Sequence, residues 1–468
     1  MTFSSITKAS LALMVASALS ACNQTAAPSP EAKQASQSQT KQASFEVSKI
    51  SRFVNDTSGS SSIAVADKHA YITYTDSADY LGKIVKVNIE TGEVERSEQT
   101  FFTIGDGDRS HNDSAMAIDG DGFVHVWIGM HNHQMRYYRS NAPYSIESFT
   151  NLSNSNTWAS YDDTYNDWQY IPTPADGNKT YYSHIKKDQN KNSDIRLYSY
   201  PHAVSLANGD IAIILRRAGI DLNGVNGSIR DINFNEKQDF YYYDHKLKTW
   251  TEYELLQQQG KNAYMSKLYA DKDSNVHIVT AWSQLHRGGN TFQRGTYLKF
   301  NSQNKTFHRA DGKQVDYPLA ADDPQMDHFY EWSGTWGDKT SEIQTPQVTL
   351  NSDGYPVVTY PYNINGFSQN NPLWVLRVSH FNGEKWVSTN GLDSLRNYNR
   401  PPLTNTSGMI NIFSADLQKN VTIHQSKDGG KTFDQFKLGK ERYPFHAIQV
   451  DATTDVFLSL NTLYKVVY

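Results

Sequence analysis

From Phe45 to the C-terminus, short runs of alternating apolar and polar residues are broken by turns rich in Asp, Asn and Gly, and no long stretch carries a helical period. Period-two alternation in runs this short predicts half-buried β-strands. One unit recurs: apolar residues, a turn, then a second alternating strand. It reads IAVADKHAYITYT from Ile63, AIDGDGFVHVW from Ala117, AVSLANGDIAIIL from Ala203 and LYADKDSNVHIVTAW from Leu268. It returns as VTLNSDGYPVVTY from Val348, IFSADLQKNVTIHQS from Ile412 and AIQVDATTDVFLSL from Ala447. Each copy predicts a β-hairpin whose turn tolerates positive φ. Seven irregularly spaced copies fit one four-stranded blade each plus insertions, so the pattern predicts an all-β fold, a seven-bladed β-propeller. A pair of β-sandwiches is the alternative. The run Ser426-Lys427-Asp428-Gly429-Gly430-Lys431-Thr432-Phe433 fits the S-x-D-x-G-x-T-F/W Asp-box turn of sialidase-like blades. That turn is a peripheral folding device and carries no catalysis.

The N-terminus breaks the pattern. Residues 1–22 hold a lone Lys8, an apolar run from Leu11 to Leu19, and then Leu19-Ser20-Ala21-Cys22. This reads as a lipoprotein signal peptide with a lipobox, after which Cys22 would be lipidated and become the new N-terminus. Cys22 is the single cysteine, so disulfides and cysteine catalysis are excluded. Residues 23–44 are Ala, Ser, Gln, Thr, Pro and Lys, a composition that cannot bury a core and predicts a disordered tether. The propeller domain is expected over residues 45–468. The expected location is the outer membrane or cell surface through the lipid anchor, or outside the cell.

Composition narrows the chemistry. A formal net charge of -5 argues against nucleic acid as the partner, and a mean hydropathy of -0.64 fits a globular chain. The 29 Tyr and 9 Trp support sheets first and sugar-stacking platforms second. Between Arg109 and Ser140 the chain places His111, His125, His131 and His133 around one hairpin, with Arg136 and Arg139 beside them. Histidine titrates near neutrality, so such a cluster points to proton transfer or metal ligation, although any one strand histidine is equally compatible with packing.

Propeller ligands bind on loops at the strand ends. His111 precedes the second hairpin and His131 follows it. Tyr200 precedes the third, with Tyr198 competing for its role. Arg216 and Arg217 close the third hairpin, and two consecutive arginines there require that one meet an anion. His277 lies in the fourth hairpin in the register of His125, and His286 and Arg287 follow. Glycoside hydrolysis needs a carboxylate pair, and none stands out from the turn-forming acids. Elimination from a uronic acid needs what is present. An Arg neutralises the carboxylate, and His and Tyr serve as base and acid.

The stretches SHNDSAMAIDGDGFVHVWIGMHNHQMRYYRS, YSYPHAVSLANGDIAIILRRAG and VHIVTAWSQLHRGGNT resemble the ulvan lyases of polysaccharide-lyase family 25 and the related family 24. These are seven-bladed propellers with BNR-type repeats, and the resemblance covers most of Phe45–Tyr468. It implies β-elimination of ulvan, a sulfated rhamnose–uronic acid polymer, with unsaturated uronate ends as product. His111 and Tyr200 would be the acid/base pair with His131 beside them, the direction of proton transfer being open. Arg216 would neutralise the uronate, His277 would line the same cleft, and Arg217, Arg136 and Arg139 would bind substrate or its sulfates. No cofactor is required for catalysis. The resemblance brings with it a structural zinc or calcium ion, for which His277 and His286 are the candidate ligands, though their spacing fits no tight metal motif. A monomer acting on a sulfated uronate polysaccharide is expected. The alternatives are a non-catalytic glycan-binding propeller and a sialidase-like hydrolase.

Overall fold

Several of the recurrent turns close on one side chain. Asp119 Oδ1 accepts from the backbone N–H of Asp121 at 3.0 Å and of Phe123 at 2.8 Å. Asp271 repeats this with Asp273 and Asn275, and Asn351 with Asp353 and Tyr355. These Asx turns satisfy the loop N–H groups locally, so the flanking strands pair at once. The Asp-box forms as expected. Asp428 Oδ1 accepts from the Thr432 N–H at 2.9 Å, and Ser426 Oγ accepts from the Gly430 N–H at 2.9 Å.

The computed structural model describes residues 45–101, 113–133, 135–153, 196–219, 237–284, 292–331, 342–365, 373–389, 391–392, 394–395, 401–418, 420–440, 444–459 and 461–468. All regular elements there are strands, arranged as the seven blades of a β-propeller. The inner strands are Thr57–Ala66, Ala115–Ile118, Arg196–Ser205, Lys261–Ala270, Gln347–Leu350, Leu403–Thr406 and Pro444–Gln449, in blades one to seven. Blade seven is closed by the N-terminal strand Glu46–Arg52, which pairs antiparallel with Thr462–Val467. The ring is therefore sealed by strands from the two ends of the domain.

Six of the seven expected hairpins join the first and second strands of a blade. The copy at Ile412 joins the second and third strands of blade six, Met409–Ala415 and Asn420–Ser426. The first turn of that blade is the tighter Ser407-Gly408, both at positive φ. Its Asx turn had migrated one connection along: Asp416 Oδ1 accepts from the Gln418 and Asn420 N–H groups.

Aromatics fill the wedges between blades. Trp127, Tyr137, Ile213 and Tyr241 pack between blades two and three, and Phe240, Ile278 and Phe300 between three and four. Burying each such side chain contributes roughly 1.5–3 kcal/mol. Among the strands that depart from the four-stranded plan, two link neighbouring blades. His131–His133, between the second and third strands of blade two, adds to the inner edge of blade three. Glu342–Ile343 bridges the third strand of blade four and the second of blade five.

Candidate active site

The site lies at the end of blade three remote from its first turn. Tyr200 is on the inner strand Arg196–Ser205, whose pairing with Ile211–Gly219 shifts register between Ser199 and His202. At this bulge Tyr200 has φ 52°, in the left-handed region, and it precedes Pro201, which further restricts its backbone. A bulge re-aims a side chain, and backbone strain of this kind persists where the surroundings over-determine it. The neighbouring inner strand repeats the device. Its register shifts between Ala263 and Met265, and Tyr264 sits between them. The two phenols meet with hydroxyls 3.2 Å apart and ring centres 5.5 Å apart.

Arg216 pairs with Ser199 across the hairpin and is almost wholly buried, at 2% exposure. Its Cζ lies 4.4 Å from the centre of the Tyr200 ring and 4.7 Å from that of Tyr264, and its Nη2 donates to Ser199 Oγ at 3.1 Å. His131 arrives from blade two. Its strand pairs antiparallel with the Tyr200 strand through two pairs with a register shift between them, His131 opposite Ser199, and its ring centre is 5.7 Å from that of Tyr200. The ladder, not a loop, holds the imidazole in place. Burial raises the Tyr200 pKa well above its ordinary value, the Arg216 charge works against this, and Tyr264 and buried Asp113 add to the rise. Tyr200 is therefore a neutral phenol at physiological pH, a proton donor beside a cation that would stabilise its phenolate.

The remaining expected residues are distributed differently. His111 and His286 lie outside the described residues. Tyr198 is packed in the core between blades two and three with its hydroxyl on that of Tyr241 at 2.8 Å, so of these two tyrosines it is Tyr200 that meets Arg216. Arg217 points to the opposite face of the sheet, where Asp239 at 3.1 Å and Glu254 at 3.0 Å neutralise it. The pair ties the second, third and fourth strands of the blade together. Arg136 is buried, its backbone N–H donating to Met130 Sδ at 3.0 Å. Arg139 pairs with His125 across the blade and lies 5.1 Å from the Phe123 ring, at the turn end of blade two. It does not reach Tyr200.

His277 also belongs to the turn end. It is the second residue of Val276–Gln284, just after the turn, whereas Tyr264 lies near the other end of the same hairpin. Its Nδ1 meets Tyr297 Oη at 2.7 Å and its Nε2 meets Asp271 Oδ2 at 3.2 Å. His125 repeats the arrangement with Tyr137 at 2.7 Å and Asp119 at 3.2 Å. Two blades thus share an Asp–His–Tyr relay that ties the Asx turn to the third strand. Burial lowers the pKa of both histidines, with the aspartate working against it, so each is held neutral. With both ring nitrogens of His277 engaged, it does not fit the role of metal ligand. Among the described residues no group of three His, Cys, Asp or Glu side chains converges for a metal ion.

Tyr264 and Asp113 went unseen in the sequence. Tyr264 had a signal: like Tyr200, it stands several residues ahead of a recurrent turn on an inner strand. Asp113 had none.

The profile of BNR repeat-containing family members matches residues 69–392, more than half of the chain. The chain belongs to the BNR repeat-containing family. No curated protein matches the sequence. Among solved structures, a family 25 ulvan lyase bound to -[GlcA(1-4)Rha3S]- superposes with a TM-score of 0.60 at 13% identity, over 89% of this chain and 95% of that one. The same holds for a second family 25 ulvan lyase structure, with TM-score 0.60, 13% identity and the same coverage. At this identity the likeness is one of fold, and it agrees with the seven blades expected from the hairpins.

Proposed function

We propose that this BNR-family propeller is a polysaccharide lyase that cleaves a sulfated uronate polymer of the ulvan type by β-elimination. The observation that carries the reading is the Arg216–Tyr200–His131 constellation: a buried guanidinium against a neutral phenol, with an imidazole brought to the same point from the next blade. The shared fold with an ulvan lyase bound to -[GlcA(1-4)Rha3S]- adds support.

Arg216 neutralises the uronate carboxylate and so acidifies the proton on C5. An imidazole, His131 or His111, takes that proton, and the electron pair forms the C4–C5 double bond as the C4–O4 bond breaks. Tyr200 gives its phenolic proton to the departing O4, and Arg216 steadies the phenolate until the imidazolium proton returns to it. In this reading the N-terminal signal and Cys22 carry the enzyme to the cell surface, where such polymers are met.

Ulvan incubated with the protein tests the proposal. Elimination leaves a double bond conjugated to the carboxylate and visible in the ultraviolet. Chain shortening without that absorbance points to a hydrolase, and binding without any shortening to a glycan-binding propeller.

A further inference from the structure

Away from Tyr200, between blades four and five, the guanidinium of Arg377 has no counter-ion among the described residues. Arg377, on the third strand of blade five (Trp374–Phe381), lies opposite Tyr360 in the sheet. Its Cζ stands 3.5 Å from the centre of the Tyr362 ring. Tyr330, from a strand added to blade four, closes the cluster with ring centres 6.0 Å from Tyr362 and 5.7 Å from Tyr360. Arg377 is half-buried, makes no hydrogen bond or ion pair with any described residue, and its Nε is buried without a partner. Two other half-buried arginines have carboxylates within reach. Arg294 holds Asp322 and Glu331, and Arg309 lies 3.5 Å from Asp311. A partly desolvated guanidinium left without an acceptor is costly, and the cost is recovered when an anion binds.

The cluster is joined to the Tyr200 site by a continuous run of residues. Tyr264 packs on Phe292 at 5.2 Å, Phe292 pairs with Ile343, and Ile343 pairs with Tyr362. Tyr362 lies one residue from the end of its strand, on the same side of the ring as Tyr200. We propose that Arg377, with Tyr362 and Tyr330, forms a second anion subsite, which takes a sulfate or carboxylate of a polysaccharide a few sugar units from the point of cleavage. The rings present apolar faces to a pyranose, and the guanidinium forks onto the anionic oxygens. This rests on the reading that the ligand is an anionic polysaccharide, but not on the chemistry at Tyr200.

Affinity electrophoresis through gels containing ulvan, native or chemically desulfated and carboxyl-reduced, tests the subsite without reference to turnover. Arg377→Met is expected to weaken retention by native ulvan about tenfold, in keeping with charge-assisted hydrogen bonds. Arg377→Lys should fall between it and the wild type, and neither should differ from wild type on the uncharged polymer. Should the Met variant melt early, the Lys variant decides. Wild-type retention by both variants, or no retention of the wild type, overturns the subsite. Retention that depends on Arg377 in a protein that yields no unsaturated product leaves the subsite standing and removes the lyase.

Discussion

Arg216 and Tyr200 are stacked cation on ring, 4.4 Å from Cζ to ring centre, at a bulge where Tyr200 holds a positive φ. Replacing Tyr200 with Phe keeps the ring and the stacking and removes only the proton. Turnover should fall by about 10²–10⁴, the range for loss of a general acid. The melting temperature should move little, since one hydroxyl contact with Tyr264 is worth about 1 kcal/mol. Ultraviolet product formation beside a thermal melt checks this. A variant with full turnover removes Tyr200 from the chemistry.

Arg216→Lys puts the charge in the same pocket without the planar fork. A lysine cannot stack against two rings while it presents parallel N–H groups to a carboxylate. The expected result is a loss of roughly 10²-fold in kcat/KM, comparable to removal of one electrostatic donor. Steady-state kinetics on the polymer measure it. Near-wild-type kcat/KM would place carboxylate recognition elsewhere.

His277 reads differently in sequence and in space. Its local signal, a histidine on an apolar strand after an acidic turn, is shared with His125, and both prove to be turn-end relays to aspartate and tyrosine. His277→Ala should therefore lower stability by about 2–3 kcal/mol, since it strands Asp271 and Tyr297, and should leave turnover intact well below the melting temperature. Lost turnover in a folded variant would return His277 to the cleft.

The fold was legible because its instructions are local. An Asx turn, an Asp-box and period-two alternation each act within a dozen residues, and even the misplaced sixth hairpin was a true hairpin, one connection late. The site was legible in part. Arg216 and Tyr200 face each other within one hairpin, so their spacing carried the pairing. What brings His131 to Tyr200 is a ladder between blades, and what sets Tyr264 on Tyr200 is contact between inner strands. Neither leaves a local pattern. For His277 and Arg139 the missing element was position along the strand, because residues beside the first turn and residues at its far end open on opposite faces of the ring.

Two buried groups set opposing pH dependences. Burial lowers the pKa of His424 to about 4, so the unfolded chain takes up a proton first as pH falls below about 6.5, and about 3 kcal/mol of stability is lost between those values. Asp455 is raised to about 6, chiefly by burial, against the hydrogen bonds of Thr404, Thr406 and Tyr468. Its contribution is complete below about 4 and is lost as pH rises through about 6. Melting curves from acid to neutral pH should show His424→Gln flattening the acid-side fall and Asp455→Asn raising the neutral-pH melting temperature relative to wild type. An unchanged profile in either variant removes that group from the balance.

Blades two and three touch through their first turns, where the Gly120 N–H donates to the Gly209 carbonyl at 2.8 Å. A Cβ on Gly209 would stand 2.7 Å from the Gly120 Cα, a backbone atom that cannot swing aside, and Gly209 also has φ +90°. Gly209→Ala should therefore cost about 2–4 kcal/mol through a forced separation of the two turns and a strained backbone. Because the strand that carries His131 crosses between these blades, the same change should lower turnover more than an equally destabilising substitution in blade six, such as Ile412→Ala matched to it by melting temperature. Kinetics of the two variants at equal fractions folded decide it. Equal turnover would mean that the crossing strand positions His131 without help from the turn contact.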